Sequence, residues 1–220
     1  MDLGLVLAIL IGAPPIILAI TVHEAAHAYA ADALGDNTAR QLGRVSLNPI
    51  RHIDPLGTVA LPLFMLATTG FMFGWAKPVP VQFGRLNKPQ RDMALVGGAG
   101  PASNLLMAIC WGLVLKLALQ FSSAGLPMLV LQQMAQVGVS INLVLMILNM
   151  LPVPPLDGSR VVVGFLNPVN AVKYLQLERH SMLIMIGLVV LMYTGALSAL
   201  LIPLLETAKF ALFSLLGVPY

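Results

Sequence analysis

The sequence predicts an all-α, polytopic membrane protein, and three observations lead to that prediction. Of the 220 residues, 58% are hydrophobic and only 10% are charged, whereas soluble proteins average roughly 25% charged residues. The mean hydropathy is +0.89. Roughly half of the chain lies in apolar runs of about 20 residues, each long enough to cross a hydrocarbon core about 30 Å thick. Because little of the chain is left for a soluble domain, we expect residues 1–220 to form one membrane-embedded domain.

Five long apolar runs mark the elements expected in the membrane. The first run continues through His23, Glu24 and His27 and has no basic leader, so we interpret it as a retained helix and not as a cleaved signal peptide. A shorter apolar tail at 210–218 follows the last run, and the sequence leaves the placement of residues 206–220 open. The five runs are residues 3–34, 56–73, 93–120, 126–151 and 181–205.

The basic residues predict which loops face the cytoplasm. Ten of the twelve Lys and Arg residues lie in the loops 35–55, 74–92 and 158–180, and an excess of these residues marks cytoplasmic loops. The net charge of +3 is therefore explained by topology, so we expect the lipid bilayer as a partner and no nucleic acid. With the first two basic loops on one side, the run 56–73 does not cross. We expect a re-entrant segment, about 56–83, packed against protein because unpaired backbone is not tolerated in lipid.

The candidate chemistry begins with the motif His23-Glu24-Ala25-Ala26-His27. In a helix, positions i and i+4 lie on one face about 5 to 6 Å apart, so the two imidazoles can bind one metal ion beside Glu24. This is the arrangement of zinc hydrolases, in which the glutamate is the general base. The alternative is a pair of interfacial histidines bonded to backbone carbonyls, with the glutamate paired to an arginine. Ionisable groups inside transmembrane segments are rare and mostly functional, which favours the metal site.

A catalytic zinc site requires a third protein ligand and an open position for water, and Asp157 is the strongest candidate. It follows three prolines among residues 152–155, which forbid a continuing helix after the run 126–151. Irregular backbone at membrane depth lies beside a cavity or against protein, where a metal ligand must be. The alternative is an ordinary turn aspartate before a glycine. His52 and Asp54 are the next candidates for the ligand.

These motifs together resemble the site-2 protease family of intramembrane zinc metalloproteases, in its small bacterial form without a PDZ or CBS domain. The resemblance rests on residues 23–27, 74–81, 100–104 and 149–158. It implies a core of three helices, within 3–34, 93–120 and 126–151, that carry zinc on His23, His27 and Asp157. Further transmembrane helices and a re-entrant, strand-containing segment complete the expected fold.

The resemblance also implies roles for residues around the zinc. Asn149 corresponds to a family asparagine near the oxyanion or the substrate carbonyl, and Asn104 to a polar residue that holds the unwound substrate. For Asn104 the alternative is an interhelical hydrogen bond. Lys77, Val79 and Val81 alternate with prolines, which suits an edge strand that pairs with an extended substrate or else a rigid loop that covers the site.

The expected activity is the Zn²⁺-dependent hydrolysis of a peptide bond within or near a transmembrane helix of a protein substrate. Zinc would lower the pKa of its bound water toward about 7, and Glu24 would take the proton. We expect a multi-pass protein of a bacterial cytoplasmic membrane, with the active site toward the cytoplasm and a regulatory membrane protein as a partner. The sequence leaves the substrate and the oligomeric state open. The main alternative is a membrane metal transporter or metal-binding protein, since intramembrane His and Asp also mark ion pathways.

Overall fold

The chain is mostly helical in the computed structural model, which describes residues 3–60 and 76–220. No β-strand occurs among these residues. Short 3₁₀ turns at Pro49–His52, Phe83–Arg85, Ser122–Ala124 and Gln176–His180 and a π-helical turn at Pro55–Ala60 lie between the α-helices. In chain order the α-helices are α1 (Leu3–Ala33), α2 (Thr38–Gln41), α3 (Pro89–Gln120), α4 (Leu126–Asn149), α5 (Asp157–Phe165), α6 (Pro168–Leu175), α7 (Ser181–Tyr193) and α8 (Ala196–Leu216).

Five helical stretches are long and apolar enough to cross a membrane. In the most apolar 18 residues of each stretch, no more than 28% are buried inside the protein, as expected where lipid surrounds a helix. The prediction of an all-α, polytopic membrane protein is thereby confirmed. The five stretches are Leu7–Ala33, Pro89–Gln120, Leu126–Asn149, Pro168–Tyr193 and Ala196–Leu216.

The last apolar run departs from the prediction. We expected one helix over 181–205 and a separate tail at 210–218, but the chain breaks between α7 and α8. Gly195 at the break has φ +80°, a left-handed conformation that glycine adopts without steric cost. The expected tail is instead the C-terminal part of α8, and α7 completes the span that begins at Pro168.

The expected re-entrant segment, about 56–83, is described only at its two ends. Residues 61–75 lie outside the described part of the chain, so the re-entry of 56–73 stays a prediction. At the first end the backbone forms the π-helical turn Pro55–Ala60, and at the second end residues 76–82 have no regular secondary structure.

Residues 76–82 form no strand, which corrects the expected edge strand over this end of the segment. The physical reason is the use of their N–H groups. The N–H of Lys77 donates to the His52 carbonyl, and the N–H of Gln82 donates to the Asp36 carboxylate. Two further positions are prolines without an N–H, so too few donors remain for a ladder.

Helix α3 is the centre of the bundle and packs against α1, α4, α5 and α8. Small residues let these helices approach closely, as is common in membranes, where Ala and Gly replace bulky side chains at interfaces. Ala19, Ala25 and Ala28 of α1 are no more than 1% exposed. A Cβ on Gly100 of α3 would lie 2.4 Å from the Nε2 atom of His27, so only glycine fits there.

Two of the three hydrophobic clusters among the described residues link several helices each. The first joins α1, α3, α5 and α6, and the second joins α3, α4 and α8. Their buried members are Ala31, Leu86, Met93, Val96, Val163 and Ala171 in the first and Ala108, Val139, Leu143 and Leu212 in the second.

Candidate metal centre

Helix α1 carries His23 and His27 one turn apart, on the face that packs against α3. Both residues are buried, with 7% and 8% of their surface exposed. Their Nε2 atoms lie 3.1 Å apart and point into the same space. The sequence spacing thus brings two ligand atoms to one point, as the helical periodicity predicts.

Asp157 is the first residue of α5 and reaches the same point. Helix α4 ends at Asn149, and the proline-rich turn that follows folds back against this end. A Cβ on Gly158 would lie 2.4 Å from the Met150 carbonyl oxygen, so glycine is required for the close return. The Tyr174 hydroxyl donates to the Pro152 carbonyl at 2.6 Å and holds the turn to α6.

The three ligand atoms form a triangle whose size fits a zinc ion. The Oδ2 atom of Asp157 lies 3.1 Å from the Nε2 atom of His23 and 3.3 Å from that of His27. Zinc bonds of about 2.0–2.1 Å in a tetrahedral site separate neighbouring ligand atoms by about 3.3–3.4 Å. The same Oδ2 atom is buried and makes no hydrogen bond. A bound cation would satisfy it, so the residues present fit zinc.

The outer nitrogens of the two imidazoles are bonded so that the inner ones are free for a metal. His23 Nδ1 lies 2.6 Å from the Oδ1 atom of Asn104, and His27 Nδ1 lies 2.7 Å from the Val96 carbonyl oxygen. Both partners are acceptors, so each Nδ1 carries the proton in the neutral ring. Each Nε2 then presents a lone pair toward Asp157, as a zinc ligand must.

Asn104 supports a metal ligand from inside the helix bundle, and its expected contact with the substrate stays a prediction. The residue is 0% exposed. Its amide donates to the Asn142 Oδ1 atom at 2.9 Å and lies 3.3 Å from the Ala19 carbonyl oxygen. The interhelical hydrogen bond weighed as the alternative is therefore what the structure shows.

Sequence reasoning missed Asn142. It is also 0% exposed, and its amide donates to the Gly138 carbonyl one turn earlier in α4. It anchors Asn104, which in turn bonds His23. The available signal was a lone amide inside the apolar run 126–151, because polar groups in a membrane helix usually have a partner on a neighbouring helix.

Glu24 lies next to the first ligand, and its carboxylate is held by the segment 76–82. The N–H of Val79 donates to the Oε2 atom of Glu24 at 3.0 Å. Arg44 in turn donates to the carbonyl of Lys77 at 2.7 Å. The segment therefore covers the candidate base, as a rigid loop over the site would.

Several charged groups around the site have shifted pKa values. Burial alone would raise the pKa of Asp36, but hydrogen bonds from the Thr38 hydroxyl and the Gln82 N–H lower it overall. Burial lowers the pKa of Arg44, while the charge of Glu24 acts in the opposite direction.

Other predicted residues lie apart from the three ligand atoms. His52 Nε2 bonds the Ser46 carbonyl at 2.8 Å, and Asp54 accepts the N–H groups of residues 56 and 57, so neither replaces Asp157. Asn149 ends α4, half-buried, and its amide has no hydrogen bond with the described residues. The partly buried Val81 side chain packs against the first hydrophobic cluster.

The sequence is similar to known proteins. The model of Peptidase family M50 matches residues 125–194, a stretch that contains α4 and Asp157. "Putative zinc metalloprotease YwhC" of Bacillus subtilis is 37% identical over 205 residues, which cover 91% of this chain and 88% of that protein. "Putative zinc metalloprotease Rip2" of Mycolicibacterium smegmatis is 28% identical over 190 residues, which cover 83% of this chain and 66% of that protein. No solved structure matches the chain.

Proposed function

The chain belongs to peptidase family M50 and is a zinc metalloprotease, and we propose that it hydrolyses a peptide bond within or near a transmembrane helix of another protein. One observation carries this proposal. His23, His27 and Asp157 converge among helices that are long and apolar enough to span a membrane. A hydrolytic site in this position meets peptide bonds inside or at the edge of the bilayer. A helical substrate must unwind there, since its backbone groups are bonded within the helix.

The chain's own residues divide the chemistry between them. His23, His27 and Asp157 would hold zinc, which when bound polarises the scissile carbonyl and lowers the pKa of its water toward about 7. Glu24 is not one of the converging ligands, so its carboxylate is available as the general base. It takes a proton from the attacking water and delivers it to the leaving amine. The Val79 N–H bonds Oε2 and leaves Oε1 for this transfer.

Two further contacts with the substrate are part of the proposal. Asn149 ends α4 just before the turn that carries Asp157, and its amide has no hydrogen bond with the described residues. It is therefore available to the substrate carbonyl or the oxyanion. Lys77 and Val79 lie over Glu24 and would border the bound peptide.

We place the site toward the cytoplasmic side of a bacterial cytoplasmic membrane. The support is the set of three basic loops, each following or preceding the helix ends near the site. Helices α1 and α4 both approach the metal centre with their C-terminal halves, so they run in the same direction across the bilayer. A regulatory membrane protein would complete the expected partners.

The test is a cleavage assay on the purified full chain with a transmembrane protein substrate, in the presence and absence of a zinc chelator. Cleavage that the chelator stops and added zinc restores is the expected result. In the same preparation, Glu24→Gln should keep the zinc content and lower the cleavage rate by about 10²–10⁴-fold, because the residue moves protons and is not a ligand. Uptake of zinc into vesicles that contain the protein, with no cleavage of the substrate, would favour the metal transporter instead.

A further inference from the structure

We infer that Arg44 is a positioning residue for the general base, which it holds in place through residues 77–79. The inference rests on the proposed function, because it matters only if Glu24 transfers protons. Arg44 contacts the backbone of this segment, the segment contacts Glu24, and Glu24 adjoins the first metal ligand.

Arg44 is a buried cation without an ion-pair partner among the described residues. Only 6% of its surface is exposed. None of the ion pairs between described residues includes it. Its Nε atom is buried without a hydrogen bond. Burying a charge without a paired carboxylate is costly. The contacts of the guanidinium must therefore account for its burial.

The Arg44 guanidinium fixes the backbone of Lys77, the residue before Pro78. Its Nη2 atom donates to the Lys77 carbonyl at 2.7 Å and lies 3.5 Å from the Pro78 carbonyl oxygen. Hydrogen bonds from a charged donor are stronger than those between neutral groups. The Lys77 N–H also donates to the His52 carbonyl at 3.0 Å, so both backbone groups of Lys77 are held.

The prolines concentrate the contact with Glu24 on a single donor. Pro78 and Pro80 have no N–H, so Val79 supplies the one backbone donor between them, and it goes to Glu24 at 3.0 Å. Among the described residues, no strand pairs with this segment to keep it in register. Of the contacts that the structure describes at this end, only that of the Lys77 N–H would hold the Val79 donor in place without Arg44.

The position of Glu24 matters because proton transfer requires hydrogen-bond reach. A glutamate has three rotatable side-chain bonds, and the Val79 contact selects one arrangement of its carboxylate. A displacement of about 1 Å can reduce a rate by about 10²-fold. We therefore expect loss of Arg44 to lower kcat and to leave KM and the zinc content nearly unchanged.

The experiment compares Arg44→Ala, Arg44→Lys and the control Arg51→Ala in the purified full chain with a transmembrane substrate. Arg51 is a matched control because it also donates to a backbone carbonyl, that of Gly43 at 3.4 Å, but is exposed. Arg44→Ala should lower kcat by about 10–100-fold with KM within about threefold. Arg44→Lys should recover part of the rate, and Arg51→Ala should stay within about twofold. Parent-like kcat in Arg44→Ala at full zinc content would overturn the inference.

A second variant removes the N–H donor through which Arg44 is inferred to act. Val79→Pro lacks the N–H that Glu24 accepts and leaves Arg44 intact. If Arg44 acts through Val79, the double variant should be no slower than the worse single variant, because the two changes break one chain of contacts. Multiplied losses in the double variant would overturn the inference. If Arg44→Ala loses zinc or fails to fold, Arg44→Lys and Val79→Pro still test whether Arg44 acts through Val79.

Amide hydrogen exchange tests the contact without any cleavage. Exchange at Lys77 and Val79 should be at least about tenfold faster in Arg44→Ala than in the parent or in Arg51→Ala. Unchanged exchange would contradict the role of Arg44 even in an active enzyme. Faster exchange in a chain that cleaves no substrate would instead refute the proposed function and leave the contact established.

Discussion

Replacing Asn104 by leucine would show how much zinc affinity depends on the hydrogen bond behind His23. Leucine has a similar size but removes the acceptor that lies 2.6 Å from His23 Nδ1. Asn104 is 0% exposed, so water does not replace the lost partner. An unpaired buried N–H costs about 1–3 kcal/mol. The imidazole can avoid this cost by moving its proton to Nε2, but it then loses the lone pair that binds zinc.

Zinc binding is weakened whether the His23 N–H stays unpaired or the proton moves to Nε2. Loss of a group that orients a metal-bound histidine typically reduces metal affinity by about 10–100-fold. This corresponds to about 1.4–2.7 kcal/mol of binding free energy. Asn142→Leu should have a smaller effect, because Asn142 acts on His23 only through its 2.9 Å contact with Asn104.

The assay is a competition between the metal-stripped protein and a fluorescent zinc chelator of known affinity. Ser103→Ala is the matched control, since its hydroxyl donates to the Gly100 carbonyl of the same helix at 2.7 Å and to no other described residue. The helical circular dichroism signal verifies that each variant is folded. A zinc Kd for Asn104→Leu within twofold of the parent would refute the reasoning.

Three further predictions concern the ligand set, the helix contact and the topology. Asp157→Ala should lose both zinc and cleavage, whereas Asp54→Ala should keep its zinc; elemental analysis showing the reverse would move the third ligand. Gly100→Ala should lower zinc affinity and destabilise the fold by about 1–3 kcal/mol, because the new methyl group overlaps an imidazole ligand. Single cysteines replacing Arg40 and Arg85 in a cysteine-free background should react with an impermeant reagent from the same side of the membrane. Labelling from opposite sides would mean that the intervening run crosses.

The sequence was informative where local geometry determines the result. The i, i+4 spacing of His23 and His27 requires only a helix to bring their Nε2 atoms together, and the apolar run around them predicts that helix. The prolines before Asp157 end α4 for a purely local steric reason. These three side chains could therefore be chosen from the sequence before the structure brought them within 3.3 Å of one another.

The sequence was less informative where a contact depends on which of several neighbouring groups a buried side chain meets. A buried asparagine needs a partner, but nothing in the pattern shows whether Asn104 meets a substrate or His23. Arg44 counts as one more positive charge in a basic loop, and its contact with Lys77 depends on residues more than 30 positions away. The break at Gly195 was equally hidden, because glycine is frequent in membrane helices and the sequence is apolar on both sides.

The buried polar groups around the metal centre form a chain of contacts that crosses three helices. His23 of α1 bonds Asn104 of α3, Asn104 bonds Asn142 of α4, and Asn142 bonds the Gly138 carbonyl of its own helix. In a membrane no water can satisfy any of these groups if a helix shifts, so each contact holds only when all three helices are in place. Bound zinc would add α5 to the same network through Asp157. The same hydrogen bonds therefore orient the metal ligands and specify the packing of the helices.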